Sequence, residues 1–136
     1  MARRRRLAWA FGASVMALVL WPLGAQTQTG PVKMEWLSWS IFRFLSPAGT
    51  VVLTNPFVTN PDSPVKAVDF PKVDVILVAD GHADEVGSAD EIALKTGAKI
   101  VSTFEMAGVY FGPRNVPISQ VLRSNPGDWN RIGGVT

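Results

Sequence analysis

The stretch that decides the fold is VDVILVADGHADE, residues 73–85. Its first part, residues 73–79, is a Val-rich apolar run of the kind that fills the middle of a sheet covered on both faces. The remainder, residues 80–85, sets four metal-capable side chains directly after that run, and Gly81 and Gly87 let the backbone turn. Strand ends of this kind are where α/β proteins place ligands and metals. The stretch therefore predicts a buried strand that ends in a binding loop.

The four side chains of that loop are the candidate metal ligands: Asp80, His82, Asp84 and Glu85. Carboxylate oxygen and imidazole nitrogen together suit zinc, manganese or iron. A loop that turns after a strand can bring these side chains back towards one point, so we expect all four to converge. The same residue types also suit an ordinary turn and a helix N-cap with no metal. The residues alone leave both interpretations open.

A resemblance to a known family favours the metal interpretation. Residues 80–85 resemble the His-x-His-x-Asp-His motif of the metallo-β-lactamase-fold hydrolases, with Ala79 in the place of the usual Thr. In this alignment the motif positions fall, in order, on Asp80, His82, Asp84 and Glu85. Two of the three motif histidines are therefore carboxylates here.

The resemblance runs from about Met34 to Gly134. Residues 35–44 resemble the opening hairpin of the L-ascorbate-6-phosphate-lactonase-like branch, and residues 46–57 resemble its next hairpin, with Asn55 where the family usually has Asp. The implied fold is α/β (α+β), a metallo-β-lactamase-like αββα sandwich. Because the family's remaining metal ligands lie in its second half, residues 26–136 are expected to form the N-terminal part of such a domain.

The resemblance also implies a chemistry. Family members use one or two divalent ions to activate water against an ester, lactone, amide or phosphate bond of a small-molecule substrate. Asp80 and His82 would bind one ion, Asp84 and Glu85 the other, and Asp84 would also orient the nucleophile as a catalytic residue. Zinc is the family's metal, whereas the extra carboxylates favour manganese, iron(II) or magnesium. The alternative is a non-catalytic, diverged binding module of the same fold, so enzymatic activity stays open.

The N-terminus has the anatomy of a secretory signal peptide, residues 1–25. Four arginines at 3–6 precede an apolar stretch at 7–23, and Leu23-Gly24-Ala25 suits cleavage. We expect a periplasmic or secreted product, with an uncleaved membrane anchor as the alternative. Without residues 1–25 the chain has nine Lys and Arg against eleven Asp and Glu. The positive net charge of the whole sequence therefore comes from the signal segment, and we expect no nucleic-acid partner. The chain has no cysteine, which excludes disulfides and thiolate chemistry.

The remaining patterns predict a mainly β first half. Strands are expected at residues 32–37, 40–45 and 50–54, as an antiparallel meander beside the strand at 73–79. Four prolines make residues 55–71 a loop. The meander places Trp36, Trp39, Phe42 and Phe44 at strand spacing, which favours packing over a sugar-binding platform.

Later segments predict a helix at 88–96 that ends at Gly97, and a strand at 99–103. A short helix is expected at 105–110, with one or two helical turns at 118–123. An incomplete half-sandwich leaves a sheet face or edge uncovered, and an exposed edge is a template for another chain. We therefore expect a homo-oligomer or poor solubility.

Overall fold

The computed structural model describes residues 29–136, so the predicted signal segment 1–25 lies outside the described residues. Within the described residues, no helix has the length and apolar character needed to cross a membrane.

One sheet organises the described chain, and its six strands lie side by side in sequence order. The first three strands are antiparallel, and the last three each run parallel to the preceding strand. The predicted antiparallel meander with the strand of residues 73–79 beside it is therefore confirmed, and that strand runs parallel to its neighbour in the meander. The strands are β1 (Lys33–Ser38), β2 (Ile41–Leu45), β3 (Val51–Thr54), β4 (Val75–Leu77), β5 (Lys99–Ser102) and β6 (Val121–Arg123).

The helices are short and lie in the second half. The predicted helix at 88–96 is confirmed as α2, which ends where Gly97 adopts φ 77°, a left-handed conformation that suits glycine. The α-helices are α1 (Ala83–Val86), α2 (Ala89–Thr96) and α3 (Phe104–Met106), and α3 continues as a π-helical turn at Ala107–Phe111. Short 3₁₀ turns lie at Ala67–Asp69, Gly112–Arg114 and Ile118–Gln120.

The core lies between one face of the sheet and these helices. Leu53, Ile76 and Ile100 stand in register on adjacent strands and are fully buried, together with Ile92 and Ala93 of α2. Leu77 lies on the opposite face of the sheet and is 39% exposed, so that face is less covered at this position. The expectation that the strand at 73–79 is covered on both faces is therefore wrong at Leu77. The mixed α/β sheet with helices on one face agrees with the predicted fold class.

Two later expectations need correction. Residues 118–123 form a 3₁₀ turn followed by strand β6, because pairing of Val121 with Ile100 of β5 satisfies backbone groups that a second helical turn would have satisfied internally. The expected burial of Trp36 and Trp39 in the core is also wrong, since both residues are more than half exposed, although the Trp39 ring packs edge-on against Phe57 with centroids 5.5 Å apart. Phe42 and Phe44 are half-buried and stack with their ring centroids 6.2 Å apart.

Candidate metal centre

The backbone at the end of β4 is fixed by Asn55, which follows β3. The Asn55 backbone N–H donates to the Leu77 carbonyl over 2.9 Å, and the Asn55 side-chain oxygen accepts from the Ala79 N–H over 3.0 Å. Asn55 holds φ 38°, a left-handed conformation that asparagine tolerates better than most residues. Asn55, where the family usually has Asp, thus positions the end of β4 that leads into residues 80–85.

Asp80 and His82 form the closest pair of predicted ligands. Oδ1 of Asp80 accepts from the His82 backbone N–H over 2.8 Å and lies 2.7 Å from Nδ1 of the His82 ring. Because an ionised carboxylate can only accept, Nδ1 carries the proton of this contact. The other ring nitrogen, Nε2, is then the one available to a metal. A carboxylate on Nδ1 is the arrangement that orients metal-binding histidines in proteins.

The pair shifts the pKa of both groups. The hydrogen bond to Asp80, and then the charge of Asp80, raise the pKa of His82 above its usual 6.5. The hydrogen bonds from the backbone and ring of His82 hold the pKa of Asp80 below its usual 3.8. Both side chains are largely exposed, so solvent screens the attraction between them. Each group therefore favours the charged form of the other.

Asp84 and Glu85 lie in the first turn of α1, for which His82 is the N-cap residue. The expected loop is therefore a helix from Ala83, and successive helical residues point about 100° apart around the axis. Within residues 29–136, no three His, Cys, Asp or Glu side chains lie close enough to hold one ion. The structure brings Asp80 and His82 together and does not bring all four groups to one point.

Glu85 nevertheless has an unsatisfied atom. Its Oε2 is buried and has no hydrogen-bond partner among the described residues. Burying a carboxylate oxygen without a partner is costly, and a bound cation would reduce that cost. The free Nε2 of His82 and the oxygens of Asp84 and Glu85 are donor types that fit a divalent cation. The assignment of the four residues as ligands stays a prediction.

The turn between α1 and α2 is packed tightly against the loop after β3. Gly87 has φ 47°, and a Cβ built on it would lie 2.4 Å from the Pro56 carbonyl oxygen and 2.5 Å from the Phe57 Cα. The Ser88 N–H donates to the same Pro56 carbonyl over 2.9 Å. This close approach fixes the second end of the predicted site, because α1 ends at the residue before Gly87.

A cleft of about 340 Å³ opens at the carboxyl ends of the parallel strands. Its walls include Asn55, Ala79, Ser102 and Thr103, and Ala79 immediately precedes Asp80. Clefts at this edge of a parallel sheet are where α/β proteins bind ligands. The four predicted ligands do not line it, so the cleft lies beside the predicted metal centre.

Sequence reasoning missed the polar strand end of β5. Ser102 is buried and lines the cleft, and the Thr103 hydroxyl accepts from the Met106 N–H over 3.3 Å as the N-cap of α3. The available signal was a Ser-Thr pair directly after the apolar Ile100-Val101, the same kind of strand end as Ala79-Asp80.

Comparisons with known proteins relate the chain to metal-dependent hydrolases. No protein-family profile matches it. It is 32% identical over 112 residues to a UPF0173 metal-dependent hydrolase of Myxococcus xanthus, covering 82% of this chain and 39% of the relative. A UPF0173 metal-dependent hydrolase of Koribacter versatilis is 36% identical over 105 residues, covering 76% of this chain and 44% of the relative.

A solved structure supports the same relationship. Igni18, a metallo hydrolase from the archaeon Ignicoccus hospitalis, superposes with a TM-score of 0.60 and 29% identity, covering 69% of this chain and 40% of Igni18. This chain spans about two fifths of the length of these three proteins. In sequence and in fold, the chain belongs to the metal-dependent hydrolases of the metallo-β-lactamase fold.

Proposed function

We propose that the chain is an exported metal-dependent hydrolase that cleaves an ester, lactone, amide or phosphate bond of a small molecule. The observation that carries the proposal is the Asp80–His82 pair, in which the carboxylate holds Nδ1 and leaves Nε2 to a cation, at the strand end beside the cleft. Export is proposed from residues 1–25 alone, which have the composition of a signal peptide.

The residues of this strand end would have different roles in metal binding and hydrolysis. His82 and Glu85 would hold a divalent cation, with Asp80 orienting the His82 ring and keeping its second oxygen for the ion. Asp84, half-buried in the first turn of α1, would accept a hydrogen bond from the attacking water and orient it. When bound, the cation supplies an acidified water and polarises the reacting oxygen.

The donor set also bears on which metal is preferred. Two carboxylate donors and a single imidazole, with the Asp84 carboxylate in the same segment, favour manganese, iron(II) or magnesium over zinc, because hard oxygen donors suit harder cations. The negative charges also neutralise the cation more fully, so the bound water would be less acidic than at a histidine-rich site. We therefore expect activity with manganese to exceed activity with zinc.

The experiment is a hydrolysis assay of the full chain on aryl ester, lactone, anilide and aryl phosphate substrates with manganese or zinc. Activity that a chelator abolishes, that returned metal restores, and that His82→Ala lowers at least tenfold would support the proposal. Glu91→Ala, which removes an exposed carboxylate from α2, should retain full activity as the matched control. Activity that survives both chelation and His82→Ala would overturn it.

A second function is favoured by one observation. Within residues 29–136, no three ligand-type side chains meet, whereas a catalytic zinc site usually has three protein ligands. Fewer than three converging ligands favour a non-catalytic binding module built on the same fold. Absence of turnover on every substrate, combined with unchanged folding in the presence of metal, would select this function over the hydrolase.

A further inference from the structure

Strand β1 is an edge of the sheet, and apolar and charged side chains alternate along it. β1 pairs with β2 on one side and is the first strand in the sheet order. Val32, Met34 and Trp36 are 56%, 65% and 63% exposed, and their alternate spacing puts them on one sheet face. Lys33 and Glu35 stand between them and are also exposed. The edge therefore has an apolar strip on one face and a charged pair on the other.

The apolar strip continues into the neighbouring strand. Met34 lies opposite Phe44 and Trp36 lies opposite Phe42, so both half-buried phenylalanines share its face. The Trp36 ring is held in place although it is exposed, because its Nε1–H donates to the Trp39 carbonyl over 2.9 Å. An exposed, fixed tryptophan in an apolar patch is typical of an interaction site.

The charges on β1 select a second copy of the same strand as the occupant. When two antiparallel copies of β1 meet on a two-fold axis through Met34, Lys33 of each copy lies directly opposite Glu35 of the other. Opposite residues in an antiparallel pair have their Cβ atoms about 4.5–5.5 Å apart, which is within reach of an ion pair. The same register places Val32 of each copy against Trp36 of the other.

Neighbouring registers are disfavoured by the same charges. An axis through Lys33 puts Lys33 opposite its own copy, and an axis through Glu35 puts two glutamates opposite each other. Like charges directly opposite each other destabilise a strand pair. Arg43 contacts Glu35 through Oε2 within the chain, which leaves Oε1 for Lys33 of the second copy.

We propose that β1 pairs antiparallel with β1 of a second copy, on an axis through Met34, to give a homodimer with one continuous sheet. A two-fold interface must be self-complementary, and this register satisfies both charged residues of each copy. The overlap is about five residues, so the dimer is of the weak, concentration-dependent class.

The test is a charge exchange measured by sedimentation equilibrium on the full chain. Lys33→Glu and Glu35→Lys each put like charges opposite each other twice in a homodimer, so each should weaken self-association about tenfold. An equimolar mixture restores both opposite-charge contacts in the heterodimer and should recover association to within about threefold of wild type. Glu105→Lys, which makes the same charge change at an exposed position elsewhere, should dimerise like wild type.

Two results would overturn the proposal. A wild-type chain that stays monomeric at every soluble concentration excludes the homodimer. A mixture that associates no more tightly than either variant alone places any association on another surface. Circular dichroism on each variant confirms that the chain is folded, so loss of association reports on the interface.

Discussion

The carboxylate of Asp80 contacts His82 twice, through the backbone N–H over 2.8 Å and through ring Nδ1 over 2.7 Å. One oxygen therefore fixes both the turn after β4 and the orientation of the imidazole. This relationship would give the predicted metal centre its one positioned nitrogen, because Nδ1 is used and Nε2 is left for a cation.

The first prediction concerns the titration of His82, the single histidine of the chain. Its NMR titration midpoint should lie above 6.5 in wild type, because Asp80 stabilises the charged ring. Asp80→Ala should lower the midpoint, and Asp80→Asn, which keeps a hydrogen-bond acceptor without the charge, should give an intermediate value. A midpoint that does not move in Asp80→Ala would show that the pair does not form in solution.

The same pair predicts how stability depends on pH. The raised pKa of His82 contributes stability that is present below its unfolded pKa and lost as pH rises through the folded value. The lowered pKa of Asp80 contributes stability that is present above its unfolded pKa and lost as pH falls through the folded value. The pair should therefore stabilise the fold most between the unfolded pKa of Asp80 and the unfolded pKa of His82. In that pH range the free energies of unfolding of wild type and Asp80→Ala, measured in urea, should differ most.

The second prediction concerns the turn at Gly87. Gly87→Ala should cost about 3 kcal/mol of unfolding free energy, because it combines a left-handed backbone with a Cβ pressed against Pro56 and Phe57. Gly97→Ala is the matched control, since Gly97 also has a positive φ but no atom near its Cβ position, and it should cost about 1 kcal/mol. Urea unfolding measures both. Equal costs would contradict the close packing of α1 against the loop after β3.

The third prediction uses the two motif positions that are carboxylates here. Asp80→His combined with Glu85→His should raise zinc affinity at least tenfold, because imidazole nitrogen is a better zinc donor than the two carboxylates it replaces. The control makes the same two changes in the first turn of α2, at Asp90 and Glu91. Isothermal titration calorimetry with zinc compares the two. No gain at positions 80 and 85 would mean that these carboxylates are turn residues.

The strands were predictable where local patterns and pairing agree. Alternation in residues 40–45 and the Pro-Gly turn at 47–49 lead to β2 and β3, and the apolar run gives β4 beside them. Residues 118–123 were not predictable from their own pattern, because a short segment with weak periodicity takes its structure from its partner, β5. Burial of the aromatics failed for a similar reason, since Trp36 lies on an edge strand and its exposure depends on what covers that edge.

The candidate site was predictable in composition but not in geometry. Residue types and order placed Asp80 and His82 at a strand end, which is where they lie. Convergence of Asp84 and Glu85 depended on a loop, and the acidic residues after His82 instead begin α1, because carboxylates favour the first turn of a helix. The role of Asn55 depended on a contact with Ala79, 24 residues away, which local sequence does not reveal.

The most direct test of the central claim is a calorimetric titration of the metal-free full chain with manganese and with zinc. Wild type should bind at least one of the two ions, His82→Ala should bind it at least tenfold more weakly, and Glu91→Ala should bind it like wild type. Identical binding by wild type and His82→Ala would contradict a metal centre at the end of β4.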